Sequence, residues 1–402
     1  MRLLSRHLRS VFFALVVVTL FAGCRSTSSP PELTFAAALL PSEQTAYRRI
    51  LDDFTRQTGV RVRLVAQQYA QIREAVEAEA LAGRGELDLV ELDVYLLPAL
   101  ASKMLPLDSL MRKLDTLRAS VPKDAWVSGV TGSPARLRFL PHRLNWQALF
   151  YNASVLGKPP ATWDELLTVA REHPGSVGLK CAHYEGLVCD VFPFVWQAGG
   201  DVLHPDSPQV LRAMRFLLQL ARYFNPAVQS YKENAILQAQ EHAEILLHPN
   251  WPFAVPLLKA KGLLPDRIRT APLPRGPAGA ATVLGGGYLG IPRTAPHPEL
   301  AARLLAFLTS RPVQYSLLRN LGWFPMRNDA WGALPDSTRR AYSGFLAMRP
   351  AVRARPAIPE YPRISQIWQD GILEILFAHN DPATVLADMQ RKIDALLTRQ
   401  KP

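Results

Sequence analysis

Cysteine is scarce in this chain of 402 residues: Cys24, Cys181 and Cys189 are its whole complement. A metal centre is left short of ligands, because adding His183 to Cys181 and Cys189 still gives no convincing fourth donor. Blocks of lysine and arginine are missing too, although the formal net charge is +12. Basic residues are not interleaved with aromatics in a nucleic-acid-binding pattern, so the charge reads as a diffuse arginine-rich surface. No Gly-x-Ser-x-Gly elbow, no His-Glu-x-x-His and no uncommitted Cys/His pair is present, which removes the commonest catalytic signatures. The glycine-rich GGGYLG at 285–290 is not followed by Gly-Lys-Ser/Thr, and Pro292 interrupts the helix that a phosphate loop needs. The apolar run Val11–Phe21 is too short to span a membrane comfortably.

That run is informative in its context. Arg2, Arg6 and Arg9 precede it, and Ala22, Gly23 and Cys24 follow, which is the layout of an export signal. A cysteine directly after Ala-Gly is expected to be lipidated and to become the mature N-terminus, with Phe21 standing where leucine is usual. The alternative is an ordinary signal peptide with a chance cysteine. The expected organisation is a signal peptide over 1–23 and a lipid-anchored tether over 24–32, rich in Ser, Thr and Pro. The 379 residues that follow the signal suffice for two lobes of ordinary size. Export to an oxidising compartment also predicts a Cys181–Cys189 disulfide, since both lie close together in KCAHYEGLVCD.

Beyond the tether, apolar periodicity predicts a strand over Leu33–Leu39 and a helix through Gln57. In that helix Tyr47, Ile50, Leu51 and Phe54 share a face, and Gly59 ends it. Strands over Val60–Ala66 and Leu87–Leu92 flank a helix over Tyr69–Leu81. Strand and helix alternating in this way argue for a parallel sheet with covering helices, and therefore for an α/β fold. Ligands of such sheets lie beyond the C-terminal strand ends, which here are Leu39–Glu43, Ala66–Tyr69 and Glu91–Tyr95.

Leu140–Leu167 combines three signals. Trp146–Tyr151 reads as a short buried strand, Asn152–Pro160 as a turn, and Thr162 with Glu165 as a capping box opening a helix. Residues 264–279, rich in Pro and Gly, read as irregular linker. Ile364, Ile367, Trp368, Ile372 and Ile375 form a helical stripe that marks Trp368 as core, and Val385, Leu386, Met389, Ile393 and Leu396 form a second.

The stretch Pro141, Leu149–Asn152, Pro159, Pro160 and Thr162–Leu166 resembles the passage between lobes in bacterial extracellular solute-binding proteins of the sugar-binding, maltose-binding-like kind. The segments ELDLVELDVYLLPALASKMLPLDSL, VFPFVWQAGGDVL, HAEILLHPNWPFAV and GGGYLGIPRTAPHPELAARLLAFLTS resemble further parts of that family. The resemblance implies a two-lobe periplasmic-binding-protein fold of type II. Each lobe would be a mixed, mainly parallel sheet flanked by helices, and a multi-crossover hinge would join them. Residues 33–140 with 283–328 would form lobe 1, and 141–282 with 329–402 lobe 2, with the C-terminal helices packing on lobe 2. The implied role is that of a monomeric substrate-binding protein of an ABC importer. It would capture a carbohydrate, need no cofactor, be anchored by its N-terminal lipid and deliver the solute to a membrane permease.

A sugar site needs aromatic platforms for ring faces and planar polar groups for hydroxyls. The resemblance directs Trp251, Tyr288 and its neighbour Gly287 to the cleft. Trp146, Trp196 and Trp323 are further aromatic candidates, Trp146 and Trp196 being equally readable as core. Glu43, Gln68 and Asp93 lie at expected strand ends and Arg327 near the last crossover; Asp93 is also readable as a helix N-cap, and Asp88 as a turn support. A surface-anchored glycoside hydrolase is the enzymatic alternative, since it requires only two suitably spaced carboxylates. Iron is disfavoured by the lack of an adjacent tyrosine pair, and a polyamine by the basic composition.

Overall fold

A computed structural model describes residues 31–111, 114–331 and 335–398. The segment expected to be an export signal and Cys24 lie outside the described residues, as does the expected tether up to residue 30. From there the chain runs β1 (Glu32–Ala37), α1 (Pro41–Thr58), β2 (Arg61–Ala66), α2 (Tyr69–Ala82) and β3 (Leu89–Asp93). Next come β4 (Phe139–Pro141), β5 (Asn145–Trp146), β6 (Ala148–Asn152), α3 (Trp163–Glu172), α4 (Glu185–Gln197), α5 (Pro208–Ala221) and α6 (Glu233–Glu241). They are followed by β7 (Leu247–Asn250), β8 (Ile268–Ala271), β9 (Thr282–Gly285), β10 (Gly287–Gly290), α7 (Pro298–Leu308) and α8 (Arg311–Leu321). The chain closes with β11 (Val352–Arg353), α9 (Tyr361–Leu376) and α10 (Pro382–Thr398).

The helices form where the apolar stripes predicted them. In α1 the stripe Tyr47, Ile50, Leu51 and Phe54 is buried, and Gly59 closes the last turn at φ 73, a left-handed angle that glycine reaches without a Cβ penalty. The α3 cap is the Thr162 hydroxyl accepting the Glu165 N–H at 3.2 Å. Trp368 is fully buried in α9 and satisfies its indole N–H on the Val202 carbonyl at 2.8 Å.

Two lobes result, each built on its own sheet. The first has strand order β2-β1-β3-β10-β4. β1 pairs parallel with β2 and β3, as strands linked by crossover helices do, whereas β10 returns from far along the chain and pairs antiparallel with β3 and β4. Asp88 supports the entry to β3 by accepting the Thr34 N–H at 2.8 Å and the His297 N–H at 2.9 Å. The second sheet has order β8-β6-β7. Both of its pairings are antiparallel, a departure from the mainly parallel sheet expected in each lobe. Its parallel pairings are reduced to the single bridges Val177–Leu247 and Val177–Phe224, because the backbone soon turns to other partners: the Lys180 N–H goes to the Asp190 carboxylate. A narrow third sheet, β11-β9-β5, carries the crossings between the lobes.

Two local expectations change. Trp146–Tyr151 is not one strand: it divides at Gln147 between the narrow sheet and the second sheet. Gln147 is fully buried, donates to Asp190 at 2.8 Å and accepts the Thr282 hydroxyl on its carbonyl at 2.9 Å, so its polar groups anchor the switch. Residues 264–279 are not wholly irregular, since Ile268–Ala271 pair with Leu149–Asn152. Four residues between prolines show too little pattern to reveal a strand that only its partner stabilises.

Cys181 and Cys189 are buried free thiols, which corrects the expected disulfide. The two face different surroundings. Cys181 lies in a loop whose N–H donates to Val228, beside Lys180 and Asp190, while Cys189 is turned by α4 toward Arg355 and Glu185. No described helix is long and apolar enough to cross a membrane.

Candidate functional site

Beyond the C-terminal ends of β1, β2 and β3 lies an open cavity of about 490 Å³. The first lobe contributes the turn after β1, the start of α2 and the end of β3. The second contributes the start of α4, Lys232 and Glu233 at the start of α6, Trp251 after β7, and α9. Two arginines organise the polar floor.

Arg143 follows β4 at the first crossing. It donates to one Glu91 oxygen at 3.1 Å and ion-pairs with the other at the same distance, and it donates to the Ala38 carbonyl at 2.7 Å and to the Tyr69 hydroxyl at 3.0 Å. Its guanidinium lies 3.7 Å from the centre of the Trp323 ring, a cation–π contact shielded from water. The Trp323 indole N–H in turn donates to Glu43 at 2.6 Å. Burial pushes the Glu43 carboxyl upward, against the opposing pull of Arg143. For Glu91 burial acts in the same direction, but Arg143 and His142 overcome it and hold the carboxyl below its ordinary value.

Arg355, two residues past β11, is the second centre, with its side chain only 1% exposed. It donates to Glu185 at 2.7 Å and to Asp93 at 2.5 Å, and stands 4.7 Å from the centre of the Tyr95 ring. Glu185 also accepts the Tyr361 hydroxyl at 2.9 Å and the Ser365 hydroxyl. Its place in the first turn of α4 matches a carboxylate to the positive end of that helix. Burial pushes the Asp93 carboxyl up to about 6, partly offset by Arg355.

Trp251 supplies the partly exposed aromatic wall. Its N–H donates to the Asn250 side chain at 2.8 Å, and Asn250 donates to the Glu233 carbonyl at 3.2 Å, which ties the indole to the start of α6. The strand before it contains Pro249, tolerated because β7 is an edge strand.

Of the residues singled out from sequence, Glu43, Gln68, Asp93, Trp251 and Trp323 border the cavity together; Trp146, Trp196, Gly287, Tyr288 and Arg327 do not. Trp146 packs 4.6 Å from Phe324 and donates its indole N–H to the Phe345 carbonyl at 2.7 Å, a core role. Trp196 is buried edge-on to Phe192 at 5.7 Å. Tyr288 lies within β10, and strand alternation turns its ring into the core, where its hydroxyl donates to the Ala125 carbonyl at 3.1 Å. Gly287 is packed against Glu91, and a Cβ there would come within 1.8 Å of the carboxylate. Arg327 is spent on Asp329 at 2.8 Å. Residues unmarked by any motif complete the site: Arg143, Arg355, Tyr69, Tyr95 and Glu185. The available hints were that Arg143 stands inside the Leu140–Leu167 stretch and that Tyr69 and Tyr95 close two of the expected strand-end segments. Among the described residues no cluster of three His, Cys, Asp or Glu side chains could hold a metal ion.

A family model described as bacterial extracellular solute-binding protein matches residues 49–336. The chain belongs to that family. As an extracellular solute-binding protein it is exported. Solved structures share the fold. The maltose-bound MalE3 of T. maritima superposes with a TM-score of 0.83 at 24% identity, over 91% of this chain and 99% of that one. A solute-binding protein of Thermotoga lettingae bound to α-D-tagatose gives 0.81 at 24% identity, over 91% and 100%. The GacH receptor of Streptomyces glaucescens, solved unliganded and with acarbose, gives 0.79 at 19% identity, over 92% and 98%.

Proposed function

We propose that this solute-binding protein captures a carbohydrate and acts as the substrate-binding component of an ABC importer, delivering the sugar to a membrane permease. The observation that carries the reading is Trp251: an indole anchored at its backbone and partly exposed to the cavity, which the planar polar side chain of Gln68 also lines. A ring face for sugar C–H groups and planar acceptors for hydroxyls are what such a ligand requires. The fold neighbours bound to maltose, tagatose and acarbose support the same class. Binding without cleavage is supported by how the carboxylates are engaged. Glu91 is held by Arg143 and Glu185 by Arg355, so neither of these two is poised to protonate a leaving oxygen. Ligand contacts to both lobes would favour the closed arrangement that a permease recognises.

The strands of the first sheet support assigning 33–140 with 283–328 to one lobe, up to Pro141, which pairs there, and those of the second sheet support 141–282 as the core of the other, to which 329–402 would add the C-terminal helices. The Ala22-Gly23-Cys24 sequence supports anchoring through lipid on Cys24. Calorimetric titration against a panel of saccharides tests the central reading. A saccharide should bind, be recovered unchanged by chromatography, and bind about tenfold or more weakly to Trp251→Ala, since losing a platform removes packing area as well as its face-specific attraction. Cleaved sugar would favour the hydrolase, and equal affinities would remove Trp251 from the site.

A further inference from the structure

The Arg355 cluster joins the two lobes directly. Asp93 ends β3 of the first sheet, and Glu185 opens α4 of the second lobe; one guanidinium holds both carboxylates, at 2.5 and 2.7 Å. An aromatic contact runs beside it, with Tyr95 from the first lobe edge-on to Tyr361 of α9, their ring centres 5.5 Å apart. Arg355 also donates to the Leu284 carbonyl of β9, in the narrow crossing sheet, at 3.3 Å. The same side chain therefore touches lobe 1, lobe 2 and the hinge.

Electrostatics give this arrangement a direction. Without the guanidinium, two carboxylates from opposite lobes would face each other at the partly buried edge of the cavity, where like charges repel more than in bulk water. Moving the lobes apart would return both to solvent. With it, each carboxylate keeps a charge-assisted partner only while the lobes stay together. The other groups close enough to influence Asp93 are the Tyr95 N–H, Tyr69 of α2, Cys189 of α4 and, from the core, Tyr288 of β10, and none of them carries a positive charge.

We propose that Arg355 is the positioning residue that sets the open–closed balance of the cleft, by neutralising Asp93 and Glu185 across it at once. The proposal rests on the two-lobe solute-binding reading but not on the identity of the solute. Arg355 adjusts affinity through closure and not by discriminating among solutes. Because burial already pushes Asp93 up to about 6, removing its cationic partner raises it further, and mild acid neutralises the carboxylate.

The test measures lobe separation with no ligand added. Spin labels on Ala80→Cys in α2 and Arg171→Cys in α3, both exposed, report the distance between lobes by pulsed electron resonance. Arg355→Gln should raise the open-to-closed ratio about tenfold or more at pH 7.5, because like charges across an interface are strongly unfavourable. Lowering the pH to 5, or adding Asp93→Asn, should reverse part of that opening, because it removes the repulsion but not the loss of the Arg355 hydrogen bonds. Arg355→Lys, which keeps the charge and loses the two-pronged geometry, should lie between wild type and Arg355→Gln, and serves if the glutamine variant does not fold. Distances unchanged in both variants would overturn the proposal. So would an opening that neither acid nor Asp93→Asn reverses even in part, since that would mark Arg355 as a packing residue. A failed saccharide screen with this pattern intact would count against the carbohydrate and leave the clasp standing.

Discussion

Trp251 lies so close to Gly285 that a β-carbon at 285 would stand 2.8 Å from two atoms of the indole ring. The glycine at the end of β9 lets the ring rest against a crossing strand, so the hinge and the aromatic wall of the cavity are in direct contact. Gly285→Ala should push the ring out of place while leaving its identity unchanged. Saccharide affinity should fall by a few-fold to about tenfold, in keeping with 0.5–1.5 kcal/mol for a face-specific aromatic contact. Calorimetry on the variant, beside Trp251→Ala, decides the point. An unaltered affinity would mean that the ring position is not critical.

Arg143 should matter more to stability than any exposed ion pair. Arg143→Met leaves the fully buried Glu91 with only His142 beside it and removes the cation over Trp323. Breaking a buried pair in this way costs about 3–5 kcal/mol. Urea denaturation should show the loss, whereas Arg391→Met, at an exposed pair with Asp388, should change stability by less than about 1 kcal/mol.

Stability should carry a pH signature from Asp93. Its folded-state value of about 6 exceeds the ordinary 3.8, so the native state binds the proton more tightly than the unfolded chain does. The contribution is fully present below about pH 3.8 and is lost as pH rises through about 6, an effect on the order of 3 kcal/mol. Wild type and Asp93→Asn should therefore converge toward pH 4 relative to their separation at pH 7. Parallel stability curves across that window would contradict the assignment.

Both thiols should resist reagents in the native state. Cys181 is 1% exposed and Cys189 3%, and burial raises both thiols far above their ordinary value. Alkylation should proceed only after unfolding, and non-reducing peptide mapping of exported protein should show no Cys181–Cys189 link. A linked peptide would refute the free-thiol arrangement.

Much of the architecture was legible in the residues themselves because its causes are local. The stripe Tyr47, Ile50, Leu51 and Phe54, the stop at Gly59 and the Thr162–Glu165 cap each depend on side chains within a turn or two of one another, so their spacing alone specifies a helix and its ends. Trp368 was readable as core for the same reason. Strand ends also placed Glu43, Gln68 and Asp93 at the rim, since alternation of strand and helix dictates which ends of the first sheet converge. What the rim residues do was decided elsewhere. Glu91 is 52 residues from Arg143, and Asp93 is 262 residues from Arg355; no spacing rule connects such partners before the chain has folded. The direction of Tyr288 and Trp146 was equally hidden. An aromatic near a strand end packs inward or faces a cavity according to the elements that cover it, and helices and strands from distant segments supply those covers here. β8 and the split at Gln147 belong with them, because a short strand exists only through its neighbours' hydrogen bonds, whereas a helix carries its own.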